Sequence, residues 1–429
     1  MFARFWSQTA GGLPRVFWTL WSSMLVNRVG AFAMLFLPLY LKSGRGVSLT
    51  MAGLITAGYG IGGACGSLLG GVLADTIGRR RTLLLANYTA ASLMLALGFA
   101  QPLWLIALLT LAVGVFHSMP GPALVAAIID VTPEHNRSRA FNLQFWAFNL
   151  GTAVAAALAG VVASSGFLLL FLVDAAMTAV TGTIIFFAVP ETLGRSSPRG
   201  GAGRTRGGLG TALTDPFFMI FVGLTFVLAF LGAQTSMLQL AMNADGLPPE
   251  AYGIVAALPG LLIVLGQLFV PRLLQGRVKG RVLATALLFT GLGYTSVAFA
   301  NVLPAYLVAA AIWTVGSMLA APPNAEVIAE LAPAELRARY QAVFYLVFPA
   351  AGFLAPAAGG WSLDHLGSWH WAIVGGLGLA AAAGHLVAGK SRDRRVRSLH
   401  GSPASAAEEI AAADAAAGDL AQLPSEIRG

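Results

Sequence analysis

The sequence predicts an all-α membrane protein in which twelve transmembrane helices form two pseudo-symmetric six-helix bundles, with both termini in the cytoplasm. Three observations predict this fold. First, 57% of the 429 residues are apolar and only 10% are charged, whereas soluble domains carry about 25% charged residues. Second, apolar runs of spanning length recur along the chain, and the mean hydropathy is +0.75. Third, the second half of the chain repeats a pattern found in the first.

The apolar runs define the predicted spans. A helix needs roughly 20 apolar residues to cross a hydrocarbon layer about 30 Å thick, because each residue adds about 1.5 Å. The first run is too long to be a cleavable signal peptide, and no small-residue cleavage site follows it. The predicted spans are residues 16–41, 51–74, 82–100, 103–128, 140–163, 166–188, 216–240, 251–273, 282–300, 303–328, 340–362 and 370–389.

The basic residues predict the topology. With the N-terminus inside, 23 of the 26 lysines and arginines fall on one side of the membrane, which is the positive-inside bias. Lys42 and Arg45 fall outside, and Arg28 lies within the membrane. The net charge of +8 therefore reports topology and predicts no nucleic-acid partner. We expect a multi-pass protein of the cell membrane, and the excess of arginine over lysine indicates a GC-rich bacterial source.

The chain repeats itself at an offset of 200 residues. "DVTPEHNRSRA" (130–140) aligns with "ELAPAELRARY" (330–340), which places Asp130 on Glu330 and Arg137 on Arg337. Parallel repeats of this kind are typical of transporters, whose substrate site lies near the membrane midplane between the halves. A glycine- and arginine-rich stretch between the halves predicts a flexible tether. The predicted domains are a first bundle at 1–190, a linker at 191–213, a second bundle at 214–390 and a disordered cytoplasmic tail at 391–429.

A basic turn, "GGVLADTIGRRRTLL" (70–84), joins the second and third spans. Within it, Gly71 and Gly78 allow close backbone approach and a tight turn. Asp75 ends the second span, and three arginines open the third. Charged groups placed in this way can join the cytoplasmic ends of helices through charge-assisted hydrogen bonds.

This turn resembles a signature of the major facilitator superfamily, and "VPETLGR" (189–195) resembles a second signature of that family. The resemblance covers residues 15–390. Within the superfamily, the chain is similar to the twelve-span drug:H⁺ antiporters. It departs from them in the fifth span, where "NLGTAVAAALAG" (149–160) lacks their Gly-Pro pair.

The resemblance implies a conformational latch that opens and closes during alternating access. The alternative is that these charges only mark topology, which explains the arginines but not the aspartate and the glycines. The implied latch residues are Gly71, Asp75, Gly78, Arg79, Arg80 and Asp130.

Four ionisable residues stand out inside predicted spans, where a charge costs about 2.5–3.5 kcal/mol. They are Arg28, His117, Asp174 and Glu326. Helix rise of about 1.5 Å per residue from the cytoplasmic ends places Arg28 and His117 about 20 Å deep. The same arithmetic places Asp174 about 26 Å deep and Glu326 about 6 Å deep. These four are the candidates for proton coupling.

The resemblance places spans one, four, seven and ten around a central cavity, with span six beside span one. It therefore implies an Arg28–Asp174 ion pair that protonation of Asp174 would weaken; a static pair that fixes helix packing is the alternative. Arginine keeps its proton, so Arg28 could instead hold an anionic substrate group.

The other two candidates stand next to prolines. Glu326 follows "APPN" (321–324), which predicts a broken helix with a proton or cation site; the alternative is a solvated carboxylate, or one paired to Arg337 or Arg339. His117 precedes "MPGP" (119–122) and could act as a proton relay, or as a neutral packing residue.

A mostly apolar pocket with a few polar groups is the usual site for a drug-sized amphiphile. The candidate lining residues are Asn27, Phe32, Trp146, Gln234, Gln239, Trp313, Asn324 and Tyr345.

The sequence carries no pattern typical of an enzyme, a nucleotide-driven pump or a metal site, and its single cysteine, Cys65, excludes internal disulfides. We expect a monomer that needs no cofactor and draws energy from the proton gradient. Its partners would be protons, the lipid bilayer and a small-molecule substrate. The predicted function is proton-coupled efflux of small amphiphilic compounds, a drug or natural product. The alternative, favoured by the missing Gly-Pro, is a proton symporter or facilitator that imports a small metabolite.

Overall fold

The computed structural model describes residues 11–193, 210–266, 269–333 and 336–400, which form helices and no strand. Within these ranges, eleven helices are long and apolar enough to cross a membrane. In chain order the helices are α1 (Arg15–Gly44), α2 (Leu49–Thr76), α3 (Arg79–Phe99), α4 (Leu103–Val131), α5 (Glu134–Ser164), α6 (Phe167–Ala188), α7 (Pro216–Ala244), α8 (Pro249–Gly266), α9 (Lys279–Val297), α10 (Leu303–Leu331), α11 (Arg339–Leu366) and α12 (Trp369–His400).

Helix α9 occupies the ninth predicted span but is not among the eleven. It opens with Lys279 and Arg281 and contains several glycines and hydroxyl side chains, which lower its hydropathy. It nevertheless packs along α10 and α12, both of which are long enough to span. The count of twelve spans therefore stays a prediction.

The predicted domain boundaries differ in part from the helices. Most of the predicted linker, residues 194–209, lies outside the described residues, as do residues 401–429 of the predicted tail. Helix α12 continues to His400, so the predicted disorder does not hold for residues 391–400. This segment is rich in arginine, a good helix former, and its Arg392 is buried.

Four helices of spanning length are interrupted. Helix α1 consists of Arg15–Val29, Ala33–Leu39 and a wider turn at Tyr40–Gly44. Helix α4 is divided at Met119, α7 at Gln234 and α11 at Leu346. These interruptions place polar backbone groups and side chains next to each other within the bundle.

Helix α10 is not broken, contrary to the sequence prediction. It runs without interruption from Leu303 to Leu331 with Pro322 and Pro323 inside it. Each proline removes one backbone donor, but the hydrogen-bond ladder resumes on both sides. The counterpart segment in α4 is the one that divides.

The two halves meet through glycines related by the repeat. A Cβ atom added to Gly53 of α2 would lie 2.9 Å from the Cα of Gly360 in α11. A Cβ atom added to Gly253 of α8 would lie 2.9 Å from the Cα of Gly160 in α5. Each residue of one pair is the 200-residue counterpart of a residue in the other pair. The backbones of the two halves therefore touch directly at two pseudo-symmetric places.

These contacts lie at the end of the bundle where α2 begins, together with a 2.7 Å hydrogen bond from the Thr50 hydroxyl to Asp364. We call this end the opposite face, and the end that carries Arg79–Arg81, Arg139 and Lys279 the basic face. Under the predicted topology the basic face is cytoplasmic. The glycine contacts between the halves then lie on the extracellular side.

A second glycine series joins α2 to α4. A Cβ atom on Gly66 or Gly70 would overlap the carbonyl oxygen of Val115 or Met119, respectively. Gly71 differs, because its Cβ would meet only the Cβ of Pro122 at 4.0 Å, an ordinary contact. The close approach predicted at Gly71 is therefore made by its neighbour, Gly70.

We predict that Gly70→Ala destabilises the protein by about 1–3 kcal/mol, the range for overpacked sites. Gly71→Ala is the matched control, and it should be neutral or slightly stabilising because alanine favours helix. Thermal unfolding of the purified protein in detergent measures both. Equal losses for the two variants would contradict the α2–α4 packing described above.

Candidate functional site

A cavity of about 440 Å³ lies within the first bundle and is lined by residues of α1 to α6. The sequence analysis expected the substrate site where the two halves meet. The cavity instead takes its lining from the first half alone. Its polar lining includes Asn27, Arg28, Tyr59, Asn87, His117, Gln144, Asp174 and Thr178.

Asp174 is the deepest charged group of this cavity, with 1% of its surface exposed. One carboxylate oxygen accepts the backbone N–H of Ala33 at 3.0 Å, and the other accepts the Thr178 hydroxyl at 3.4 Å. Ala33 begins the second segment of α1, where the N–H groups lack partners within the helix. Asp174 of α6 therefore satisfies a donor that the interruption of α1 leaves free.

His117 lies beside this carboxylate, at the end of the first segment of α4. Its Nε2 is 3.9 Å from an oxygen of Asp174 and has no hydrogen-bond partner among the described residues. That separation exceeds a hydrogen bond. The edge of the ring packs against Tyr59, with 6.2 Å between the ring centroids. A small movement of the imidazole would bring the two titratable groups into contact.

Arg28 occupies another wall of the cavity. Its guanidinium carbon lies 4.1 Å from the centroid of the Phe148 ring, a cation–π distance. A Cβ atom on Gly151 would lie 2.6 Å from the Cβ of Arg28, so this glycine of α5 makes room for the arginine. No carboxylate of the described residues lies within 4.0 Å of its nitrogens.

The Arg28–Asp174 ion pair implied by the resemblance is therefore not formed in this structure. Asp174 is instead directed at the interruption of α1, where it accepts from Ala33 and Thr178, and the Arg28 guanidinium lies over the Phe148 ring. The two residues still line one cavity, together with His117.

Glu326 lies outside this cavity, near the basic face. Its side chain is 57% exposed and pairs with Lys279 at 3.0 Å. Lys279 also bonds Glu330. With α10 unbroken beside it, Glu326 lacks the buried, interrupted setting that suggested a proton or cation site.

Of the eight pocket candidates, Asn27 alone is among the residues that line this cavity. Phe32 and Trp313 are buried in the apolar core between the halves. Gln239 is also buried, and its amide donates to the carbonyl of Leu35 at 2.9 Å, across the two halves. The remaining four differ in exposure: Gln234 is fully buried, Asn324 is half-buried, and Trp146 and Tyr345 are exposed.

Several cavity residues escaped the sequence analysis. Asn87 and Gln144 could have been identified from the sequence, since each is an amide side chain within a mostly apolar span. Thr178 stands one helical turn after Asp174, which places both on one face. Tyr59 and Phe148 could not have been identified in this way, because aromatic residues are common in spanning helices.

A separate charged cluster lies at the basic face and contains the predicted latch. Arg79 is its centre: its Nε lies 3.0 Å from Asp130, and its Nη1 lies 3.4 Å from Asp75. Arg80 donates to the carbonyl of Phe186 at 2.5 Å. These contacts join the α2–α3 turn to the basic-face ends of α4 and α6.

Glu191 completes this cluster and was missed as a site residue, although it lies in the quoted "VPETLGR". One of its oxygens accepts the backbone N–H groups of Arg79, Thr192 and Leu193 at 2.9–3.1 Å. Burial raises the pKa of Glu191, but these backbone hydrogen bonds outweigh it and lower the pKa below its usual value. Gly78 has a φ of +105°, and a Cβ there would overlap the Glu191 carboxylate. The turn therefore requires glycine at this position.

The repeat reproduces the central ion pair of the latch. Lys279 and Glu330 form an ion pair at the basic face of the second half. They are the 200-residue counterparts of Arg79 and Asp130. Each half thus ties the start of its third helix to the end of its fourth.

Comparison with known proteins agrees with this architecture. The sequence profile of the Major Facilitator Superfamily matches residues 19–324 and 231–418. The uncharacterized MFS-type transporter YttB of Bacillus subtilis (strain 168) is 30% identical over 83% of this chain and 90% of its own. A Na⁺, Li⁺, K⁺/H⁺ antiporter of Planococcus maritimus is 27% identical over 81% and 93%. Multidrug resistance protein MdtH of Cronobacter sakazakii (strain ATCC BAA-894) is 24% identical over 78% and 82%.

Solved structures show the same fold. A POT family transporter in complex with 5-aminolevulinic acid superposes with a TM-score of 0.72 at 13% sequence identity, covering 88% of this chain and 97% of that one. The chain therefore belongs to the major facilitator superfamily and is a membrane transporter, not an enzyme.

Proposed function

We propose that this chain is a proton-coupled secondary transporter that exports small amphiphilic compounds by alternating access. The observation that carries the proposal is Asp174, buried in the cavity 3.9 Å from His117 and bonded to the interrupted helix α1. The proton gradient would supply the energy without a cofactor. We place the transporter as a monomer in the cell membrane of a GC-rich bacterium.

Asp174 would carry the proton. A protonated carboxyl accepts the Ala33 N–H less strongly than a carboxylate does, because charge-assisted hydrogen bonds are the stronger kind. Protonation would therefore loosen the hold of α6 on the second segment of α1. His117, whose Nε2 lies 3.9 Å from the carboxylate, would pass the proton between the cavity and Asp174.

The substrate would bind in the same cavity. Its volume of about 440 Å³ suits a small organic molecule. Phe148, Leu124 and Met34 supply apolar lining, whereas Asn27 and Gln144 supply hydrogen-bonding groups. Such a mixture suits an amphiphilic compound, and the similarity to MdtH is consistent with it.

Alternating access would then open the opposite face and close the basic face. The glycine contacts Gly53–Gly360 and Gly253–Gly160 would have to separate. The contacts of the predicted latch join helices of the first half only, so in place of a latch that opens and closes we propose that they keep the α2–α3 turn attached to α4 and α6 as the first half moves. The similarity to an antiporter supports a cycle in which proton and substrate move in opposite directions.

One observation favours a second candidate, a proton symporter or facilitator that imports a metabolite. Arg28 has no carboxylate partner within 4.0 Å among the described residues. An anionic nutrient would neutralise it, and a proton on Asp174 would strengthen that binding by removing a nearby negative charge.

Transport in proteoliposomes of defined orientation separates the two candidates. A pH gradient is imposed in either direction, and proton flux is followed as amphiphilic compounds or organic acids are added. Opposite movement of protons and substrate is the expected result. Movement in the same direction would reject the exporter in favour of the symporter, and transport that ignores the gradient would indicate a facilitator.

We predict that Asp174→Asn abolishes transport driven by a pH gradient but preserves exchange of substrate between the two sides. The amide is close in size to the carboxyl, but it takes up no proton. Glu134→Gln, an exposed carboxylate at the basic face, is the matched control and should behave like the unmodified protein. Gradient-driven transport that survives in Asp174→Asn would show that Asp174 is structural.

We predict that Arg79→Gln destabilises the protein by about 3 kcal/mol, because it leaves the buried Asp130 unpaired. Arg81→Gln changes an exposed arginine of the same turn and should alter stability little. Lys279→Gln should reduce the stability less than Arg79→Gln does, since the Lys279 side chain is more exposed. Thermal unfolding measures the loss of stability in each of the three variants. Similar losses for Arg79→Gln and Arg81→Gln would contradict the latch and indicate that the arginines of this turn only mark the topology.

A further inference from the structure

A groove of about 510 Å³ lies between α7 and α12, away from the cavity and the latch. Its walls are apolar and include Ile220, Leu224 and Val387. Val387 is 81% exposed, and Ile220 is also exposed. Exposed apolar side chains on spanning helices are expected to face lipid. The groove is therefore open to the acyl chains of the bilayer.

The end of the groove toward the basic face is polar and cationic. Ser391 and Arg392 line it there. Arg392 is only 3% exposed, and its Nη2 is buried without a hydrogen-bond partner among the described residues. No carboxylate of the described residues lies within 4.0 Å of its guanidinium nitrogens. A buried cation without a partner is costly, and an anion that contacted the guanidinium would offset that cost.

The guanidinium of Arg392 lies between helices. Its Nη2 packs against Gly280 of α9, where a Cβ would lie 3.0 Å away. Lys390 and Arg394 lie two residues away on α12, so they lie on another side of the helix. Asp393 and Glu330 act on Arg392 electrostatically, but neither forms an ion pair with it.

The depth of the groove matches a phospholipid. Gly384, at the apolar part of the groove, lies eight residues before Arg392, which corresponds to about 12 Å along a helix. The groove thus extends from the level of lipid headgroups into the hydrocarbon. Basic pockets between spanning helices on the cytoplasmic side are known to hold anionic headgroups.

We propose that the α7–α12 groove binds an anionic phospholipid of the leaflet on the basic face. Its phosphate would lie at Arg392, and an acyl chain would lie between Ile220, Leu224 and Val387. A zwitterionic lipid would bind less well, because its ammonium group would be repelled by the Arg392 guanidinium. Binding would fasten the extension of α12 to α7, and it does not depend on the proposed direction of transport.

Native mass spectrometry of the full-length protein in detergent tests this proposal. Phosphatidylglycerol and phosphatidylcholine with identical acyl chains are added separately, and the occupancy of the first bound lipid is compared. We expect about fivefold preference for phosphatidylglycerol, the contribution of one basic residue near a membrane surface. Arg392→Gln should reduce that preference to near unity.

Val387→Trp provides a second variant that leaves Arg392 in place. The larger side chain would fill the groove and lower phosphatidylglycerol binding. Leu386→Trp is the matched control, because Leu386 is an adjacent exposed apolar residue that is not among the groove's lining residues. Equal binding of the two lipids, or wild-type preference in both Arg392→Gln and Val387→Trp, would overturn the proposal. An equal loss with Lys390→Gln, at an exposed residue outside the groove lining, would also overturn it, since it would indicate general attraction to the basic helix end.

Discussion

The hydrocarbon layer offers no water to satisfy backbone polar groups, and the structure of the first bundle follows from this constraint. Helix α1 is interrupted between Val29 and Ala33, which frees backbone donors at membrane depth. A carboxylate from α6 meets one of them, so Asp174 is held at a fixed place in the cavity. His117 and Arg28 are arranged around that carboxylate. The interruption of α1 and the burial of Asp174 stabilise each other. The free N–H of Ala33 lowers the free-energy cost of burying the Asp174 carboxyl group, and Asp174 lowers the free-energy cost of interrupting α1.

The repeat supplies the scaffold, whereas the cavity's chemistry belongs to one half. The glycine contacts and the basic-face ion pairs occur twice, at an offset of 200 residues. The positions equivalent to Arg28, His117 and Asp174 are Leu228, Ser317 and Val374. In place of a polar cavity, the second half has a stack of Trp313, Tyr294 and Trp371, with ring centroids 5.0 and 6.2 Å apart. The glycine contacts and basic-face ion pairs thus occur in both copies of the repeat, whereas the ionisable groups of the cavity belong to the first.

The features that could be predicted from the sequence are those that depend on composition, residue spacing and helix rise. It identified most of the spans, the repeat and the basic turn, and helix rise placed Arg28 and His117 at one depth. It could not assign the partner of Asp174, because that depends on where the backbone of α1 is interrupted. It expected α10 to break at Pro322 and Pro323, but a proline removes only one hydrogen bond, and the surrounding packing decides whether the helix continues. Glu326 and the exposed Trp146 and Tyr345 show the same limit, since depth along a helix does not specify which side of it faces a cavity.

The glycine contacts at the opposite face also bear on leakage. A coupled transporter dissipates the gradient if protons can cross without substrate, and protons move readily along chains of water. At Gly53–Gly360 and Gly253–Gly160 the two backbones approach so closely that a single added carbon would overlap. Gaps that exclude a carbon atom also exclude water. The glycine contacts therefore interrupt any water chain at the opposite face, and under the proposed proton coupling they would limit the leakage of protons.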